Sequence, residues 1–266
     1  MKTPLRWVGG KVRLSKEIVQ IMPEHKCYVE VFGGGLSTLF SKHKATQEVV
    51  NDINSELINF WKVIQIDFDN FKEKCNYLIP SREIFMEYKL QNVSELTDLD
   101  RAVRFFYLNR TCFGGDMNNP RFGTSNSRRN RLCSLTDDFQ GFMTPIYERL
   151  KDVTIENLDW KNCIAKYDQR KTSKETQEVL FYLDPPYLNQ YGYESEFTIE
   201  DHIKLADTLS NINGKFILSI NQDTQITELY KGYYFIDKEL KCTLNKDSDK
   251  VSSRKEYIIT NFEVKQ

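Results

Sequence analysis

Apolar and polar positions divide the chain into two stretches of alternating strand and helix patterns, separated by a long helical stretch. Val12 to Met22 has apolar residues at helical spacing, and Pro23 stops it. Cys27-Tyr-Val-Glu-Val-Phe reads as a strand running into Gly33-Gly34-Gly35, after which Leu36-Ser-Thr-Leu-Phe reads as a helix start. A second strand, Glu48-Val-Val-Asn51, ends in Asp52. From Asn54 to about Leu150 the spacing turns helical. Ile53 to Ile66, Phe68 to Leu78, Arg82 to Leu90 and Arg101 to Leu108 are predicted helices, and the only candidate hairpin lies near residues 116–124. Strand patterns then return at Val153–Glu156, Val179–Leu183, Lys215–Ile220, Tyr233–Leu240 and Tyr257–Thr260. Helices fall between them, one running from Thr198 to Leu209 with Thr198 and Asp201 as a capping box. Gln169–Gln177 and Asn245–Lys255 are polar and read as surface loops.

This order predicts an α/β fold with a Rossmann-like sheet. Residues 1–54 and 150–266 would build the sheet domain, and residues 55–149 a mainly helical insertion. The strand Val179–Leu183 stops at Asp184-Pro185-Pro186-Tyr187, so Asp184 is expected at a strand's carboxyl end, where open α/β sheets bind ligands. Two prolines remove two backbone donors and keep the Asp184 and Pro185 carbonyls out of a helix or ladder. A carboxylate, carbonyl acceptors and an aromatic ring within four residues suit a planar ring bearing an amino group. The strand, glycine turn and helix start at residues 27–40, with Asp52 ending the next strand, suit a nucleoside. There is no G-x-G-x-x-G for a pyrophosphate. Asp52 is also placed to cap the helix that follows, a role compatible with a ribose contact.

Composition narrows the partners. The net charge of −1 argues against binding a polyanion with the whole surface. Between Arg101 and Arg131, however, seven arginines (101, 104, 110, 121, 128, 129, 131) face one acid, Asp116, a local charge of +6. Such a loop is either a solvated face or a surface for a phosphate backbone, with Arg110, Arg121, Arg128 and Arg129 as candidate DNA contacts. The six cysteines lack a Cys-x-x-Cys pair and the three histidines lack metal spacing, which predicts reduced thiols and no metal. No apolar stretch approaches the roughly 20 residues that span a bilayer and the N-terminus lacks the apolar core of a signal peptide, so a cytoplasmic protein is expected. A monomer is expected in solution.

Together these features point to methyl transfer from S-adenosyl-L-methionine to an exocyclic amine of a nucleic-acid base. That nitrogen is a poor nucleophile, because its lone pair is conjugated into the ring. Acceptors for its hydrogens, Asp184 and the Pro185 carbonyl, favour the pyramidal form that attacks in line. The base must leave the duplex, and Tyr187 would stack on it.

On these residues the chain resembles the Dam-type DNA adenine methyltransferases and their bacteriophage relatives, over nearly its whole length. Arg6-Trp7-Val-Gly-Gly-Lys11 is similar to the family's N-terminal motif, which implies cofactor contacts for Trp7 and Lys11 and a DNA contact for Arg6. Glu30-Val-Phe32-Gly-Gly34-Gly35-Leu-Ser37 resembles its first cofactor motif, and Asn51-Asp52-Ile-Asn54 its second acid. Arg101–Arg110 looks like the helix entering its recognition hairpin, and Phe122-Gly123 like that hairpin's end. Glu196-Phe197-Thr198 and Ser219 to Asp223 also have counterparts. The family's order of cofactor motif, recognition insertion and Asp-Pro-Pro-Tyr implies adenine in duplex DNA as substrate, in a bacterial or phage-infected cell. Leu36 stands where the bacterial form has a glycine. The segment from Gly115 to Phe122 is much shorter than the family's DNA-reading segment, so no target sequence carries over. RNA adenine, the cytosine amine, or DNA binding without catalysis stay open as alternatives.

Overall fold

The computed structural model describes residues 1–124, 138–168, 178–188, 197–241 and 253–264. A seven-stranded sheet runs in the order β3-β2-β1-β4-β5-β7-β6. Its strands are β1 (Cys27–Glu30), β2 (Gln47–Asn51), β3 (Val153–Glu156), β4 (Val179–Leu183), β5 (Lys215–Asn221), β6 (Tyr234–Lys241) and β7 (Ser253–Thr260). The first five are parallel, and β7 runs antiparallel between β5 and β6. All of β4 is buried, as expected for a parallel strand covered on both faces. Its side chains alternate: Leu180 and Tyr182 enter one core, Phe181 and Leu183 the other.

The second core is closed by helices whose first residues follow recognisable caps. These are α7 (Trp160–Tyr167, capped by Asp159), α8 (Ile199–Ser210, with the expected Thr198/Asp201 capping box) and α9 (Thr224–Leu229, capped by Asp223). On the other face lie α1 (Ser15–Gln20) and the helices between β2 and β3: α2 (Ser55–Ile66), α3 (Phe68–Cys75), α4 (Arg82–Leu90), α5 (Asp98–Thr111) and α6 (Phe139–Leu150). Phe60, Phe71, Phe105, Phe106 and Phe139 pack ring to ring at their centre, Phe60 stacked on Phe106 at 6.0 Å. Leu57, Phe60 and Trp61 of α2 share one continuous core with Val50, Leu180 and Ile217 of the sheet. The helical stretch therefore begins with a helix that covers the sheet itself.

The expected loop Gln169–Gln177 lies outside the described residues, as does Asn245–Lys255 up to residue 252, and Ser253–Lys255 opens β7 instead of continuing that loop. Two further local expectations differ. No helix forms after the glycine turn, because the Leu39 N–H donates to a Glu30 carboxyl oxygen (3.0 Å) and the Ser41 N–H turns back three residues to the Thr38 carbonyl, which leaves the helical bonds of Phe40 and Lys42 isolated. The hairpin near 116–124 reduces to one bridge, Cys112 to Phe122, closed by Phe113 N–H to the Arg121 carbonyl (2.7 Å) and Gly123 N–H to the Thr111 carbonyl (2.8 Å). Five of the residues it encloses are Gly114, Gly115, Asn118, Asn119 and Pro120, poor ladder formers.

Candidate active site

The sheet reverses its winding between β1 and β4, and the loops leaving those two strands face each other across the switch point. After β1, the chain turns through Gly33 and Gly34. Gly34 has φ 49°, and a β-carbon there would come within 2.6 Å of the Trp7 indole nitrogen, so only glycine fits on both counts. Its N–H donates to Asp52 Oδ2 (2.8 Å), and its carbonyl accepts from Trp61 Nε1 (3.2 Å). Leu36 is also left-handed, at φ 54°, a conformation that costs a leucine on the order of 1–2 kcal/mol and a glycine almost nothing. Its side chain is 1% exposed, and this packing holds the turn.

Asp52 ends β2 as expected but does not cap the next helix. Asn54 is the cap, accepting from Leu57 N–H at 2.9 Å. The Asp52 carboxylate instead takes the N–H groups of Gly34 and Asn54, tying the glycine turn to the β2 end. Burial pushes its carboxyl up, against the pull of those hydrogen bonds. Asn51 does comparable work one residue earlier. Its amide donates to the carbonyls of Val31 (2.9 Å) and Leu158 (3.0 Å) and accepts from Leu158 N–H (2.8 Å), joining the ends of β1, β2 and β3. Glu30 is buried beneath the turn and accepts from the Tyr28 hydroxyl (2.9 Å). Burial raises its carboxyl to about 8 against that hydrogen bond, and the nearby Asp184 charge adds to the rise.

On the β4 side, Asp184 Oδ1 pairs with Lys11 Nζ at 2.7 Å. Lys11 also donates to the Gly9 carbonyl (3.0 Å) and lies 4.5 Å above the centre of the Tyr187 ring. Ser219 of β5 donates to the same Asp184 oxygen at 3.1 Å. The N-terminal segment carrying Trp7 and Lys11 is anchored by α5: Asn109 accepts from Arg6 N–H and donates to the Arg6 carbonyl, both at 2.8 Å.

All nine residues expected to hold the cofactor (Trp7, Lys11, Glu30, Phe32, Gly34, Gly35, Ser37, Asp52 and Asp184) line one cavity of about 320 Å³, together with Pro186. Pro185 and Tyr187 lie outside its lining, and Tyr187 is 2% exposed, its ring beneath Lys11. The cavity also takes in Asn51 and Phe197, which belong to the motifs carrying the resemblance, and Leu158, Asp159 and Trp160, which sequence reasoning did not single out. Phe197 meets Phe32 edge-on at 5.8 Å and Trp160 at 6.2 Å, forming an aromatic wall. The signal for part of it was Asn157-Leu-Asp-Trp160 directly after a strand, an acid and an indole at a ligand-binding edge.

The expected DNA contacts are less uniform. Arg6 Nη1 donates to the Cys112 carbonyl (2.8 Å) and Arg110 Nη1 to the Pro4 carbonyl (3.0 Å), and both side chains are half-buried. Arg121 is exposed at the bridge. Arg128 and Arg129 lie outside the described residues. Two further arginines of the basic stretch bond within the fold: Arg101 to Glu56 and Asp98, and Arg104 to the Tyr88 carbonyl. Among the described residues, no helix is long and apolar enough to cross a membrane.

The chain is 28% identical over 264 residues to a Type II methyltransferase of Paramecium bursaria Chlorella virus NC1A, covering 94% of this chain and 95% of that protein. It is 25% identical over 272 residues to the DNA adenine methylase of Haemophilus influenzae, covering 96% and 91%. With the DNA N-6-adenine-methyltransferase of Escherichia phage P1 it shares 32% over 246 residues, 85% of this chain and 30% of that protein. The seven-stranded sheet with its antiparallel β7 is that of a class I methyltransferase. A family match over residues 7–244 takes in both strand-end acids and the helices between them, and by it the chain belongs to the D12 class N6 adenine-specific DNA methyltransferases.

Proposed function

We propose that this adenine-specific DNA methyltransferase takes its methyl group from S-adenosyl-L-methionine held in the 320 Å³ cavity and delivers it to an adenine flipped out of duplex DNA against Asp184. The observation that carries the reading is the position of Asp184, which ends β4 and also lines the cavity of the glycine turn, so donor and acceptor sites share a wall. The cavity suits such a donor. Its volume lies within the range of small-ligand sites, and it offers carboxyl groups at Glu30, Asp52 and Asp159 and an aromatic wall. It also has a buried Ser37 hydroxyl without a hydrogen-bond partner among the described residues. When bound, the donor supplies a sulfonium methyl, an electrophile that needs only an in-line nucleophile.

The protein's own work is positioning. Asp184 and the Pro185 carbonyl accept the two hydrogens of the adenine amine and favour its pyramidal form. Pro185 and Pro186 fix the backbone that presents them. Tyr187 stacks on the extruded base once Lys11 moves from its ring. Asp52 holds the ribose hydroxyls while keeping the glycine turn in place. Residues 1–54 and 150–266 act as the catalytic unit, covered on one face by α2, and 55–149 beyond that helix act as the target-recognition insertion, with Arg6, Arg110, Arg121, Arg128 and Arg129 toward DNA.

The test uses labelled S-adenosyl-L-methionine with duplex DNA free of N6-methyladenine and with matched single-stranded RNA, followed by digestion to nucleosides. Label in N6-methyldeoxyadenosine alone is expected. Label in cytosine or RNA, or none despite cofactor binding by calorimetry, would overturn the proposal.

A further inference from the structure

In β4 and in the buried interior of β5, Phe216–Ile220, the polar side chains are two adjoining ones, Tyr182 and Ser219, which are 1% and 0% exposed. Placing a phenol and a hydroxyl in a central pair of strands brings a desolvation cost unless both are bonded, and two apolar residues of like shape would avoid it. Here they bond to each other at 3.0 Å. Leu183 pairs with Leu218, so the next residues, Asp184 and Ser219, leave the parallel pair side by side. Ser219 Oγ then lies 3.1 Å from Asp184 Oδ1 and 3.4 Å from the Leu183 carbonyl.

The direction of each hydrogen follows from the donors available. A serine hydroxyl has one hydrogen. The Leu183 carbonyl can only accept, and so can the Asp184 carboxylate, which is paired with Lys11 at 2.7 Å. The shorter contact is the charge-assisted one, to Asp184. Ser219 therefore donates to Asp184 and accepts from the Tyr182 hydroxyl. We infer that Ser219 is a positioning residue for methyl transfer: it fixes the rotation of the Asp184 carboxylate, and Tyr182 fixes the direction in which Ser219 donates. Lys11 supplies charge on a long flexible stem and cannot set the carboxylate plane. Ser219 can, because β5 is hydrogen-bonded on both sides, to β4 and to β7.

The inference rests on the proposal that Asp184 receives the adenine amine, and the variants separate the two. Single-turnover methylation of DNA free of N6-methyladenine is measured for Ser219→Ala, Ser219→Thr, Tyr182→Phe, Asp184→Asn and the pairing of each of the first and third with Asp184→Asn. Cofactor affinity and thermal midpoint are recorded for each. Ser219→Ala is expected to slow the step by about 10- to 100-fold, with cofactor affinity near wild type. Ser219→Thr should restore most of the rate, and Tyr182→Phe should show a smaller loss in the same direction. In the Asp184→Asn background, removing the Ser219 hydroxyl should change the rate by less than about twofold, because the group it orients is already compromised. A wild-type rate for Ser219→Ala, or an equal loss in both backgrounds, overturns the positioning role. If Ser219→Ala does not fold, the nearly isosteric Tyr182→Phe in the two backgrounds decides by the same criterion. Full activity of Asp184→Asn alone would instead overturn the reading of Asp184 and this inference with it.

Discussion

The strand ends and the helical insertion both carry charge, but they hold it in opposite ways. At the sheet edge the acids and amides are fixed by neighbouring strand ends: Asn51 joins the ends of β1 and β3, Asp52 holds the Gly34 N–H, and Ser219 of β5 donates to Asp184. In the insertion the arginines turn back on the fold around them. Arg104 bonds to Tyr88, Arg110 to Pro4, and Arg101 to Glu56 and Asp98. A short carboxylate at a strand end goes where the sheet puts it. An arginine on a long stem reaches the nearest acceptor, so charge counted along a sequence is not charge presented to a ligand.

The two regions meet at a buried ion cluster, and breaking it should give the largest effect. Glu48 of β2 accepts from Lys42, in the loop after the glycine turn, at 2.5 Å and from Arg149 at the end of α6. Arg149 also donates to the Leu39 carbonyl at 3.2 Å. All three side chains are at most 6% exposed. Glu48→Ala strands two buried cations and is expected to cost ~3–5 kcal/mol in chemical denaturation. A loss below ~1 kcal/mol would mean that the joint is wet. Burial alone would raise the Glu48 carboxyl, but its bonds to Arg149 and Lys42 prevail and hold it below the usual carboxylate range. Its contribution is thus present above the ordinary carboxyl pKa and lost as pH falls through the depressed value. The variant should flatten the acid limb of stability against pH.

Next in size are two strand-end acids that the comparison treats alike and the chemistry does not. Asp184→Ala should leave cofactor binding nearly intact and lower single-turnover methylation at least about 100-fold, ~3 kcal/mol of barrier. Near-normal turnover would sink the proposed mechanism. Asp52→Ala removes a charged hydrogen-bond acceptor, worth ~1.5–3 kcal/mol, and should raise the cofactor KM with kcat little changed. If KM stays put, Asp52 serves only to pin the glycine turn.

The sheet was largely legible because its central parallel strands carry apolar residues up to a turn or an acid. Val179–Leu183 before Asp184 is the clearest, and buried parallel strands leave little else for such runs to be. The strand-end residues followed, since their place depends on strand ends alone. What escaped depended on competition between neighbours. Asp52 and Asn54 are both good helix caps, and the spacing could not show that Gly34 would claim the first. Leu36–Phe40 has helical character, but its ladder loses Leu39 N–H to a carboxylate nine residues upstream. Asp159 and Trp160 reach the cavity from the start of α7, which only the folded sheet brings beside the glycine turn.

The smallest effects expected concern two arginines that look equivalent in the sequence. Arg121 is exposed at the Cys112–Phe122 bridge, which leans on α4 through the Phe85–Phe122 edge contact at 5.5 Å and the Arg82 guanidinium 5.0 Å above Phe122. Arg101 is bonded to Glu56 and Asp98. If Arg121 reads a base, Arg121→Ala costs ~1–3 kcal/mol at one position of the target and nothing elsewhere. If it meets a phosphate, the variant binds all duplexes more weakly, and the slope of log affinity against log salt shrinks by about 1. Arg101→Ala should leave that slope unchanged and reduce only stability. Binding of each variant to methylatable and scrambled duplexes at two salt concentrations distinguishes the outcomes. Should Arg101→Ala alter the slope as much as Arg121→Ala, the insertion presents its bonded arginines to DNA after all, and the contrast between the two regions fails.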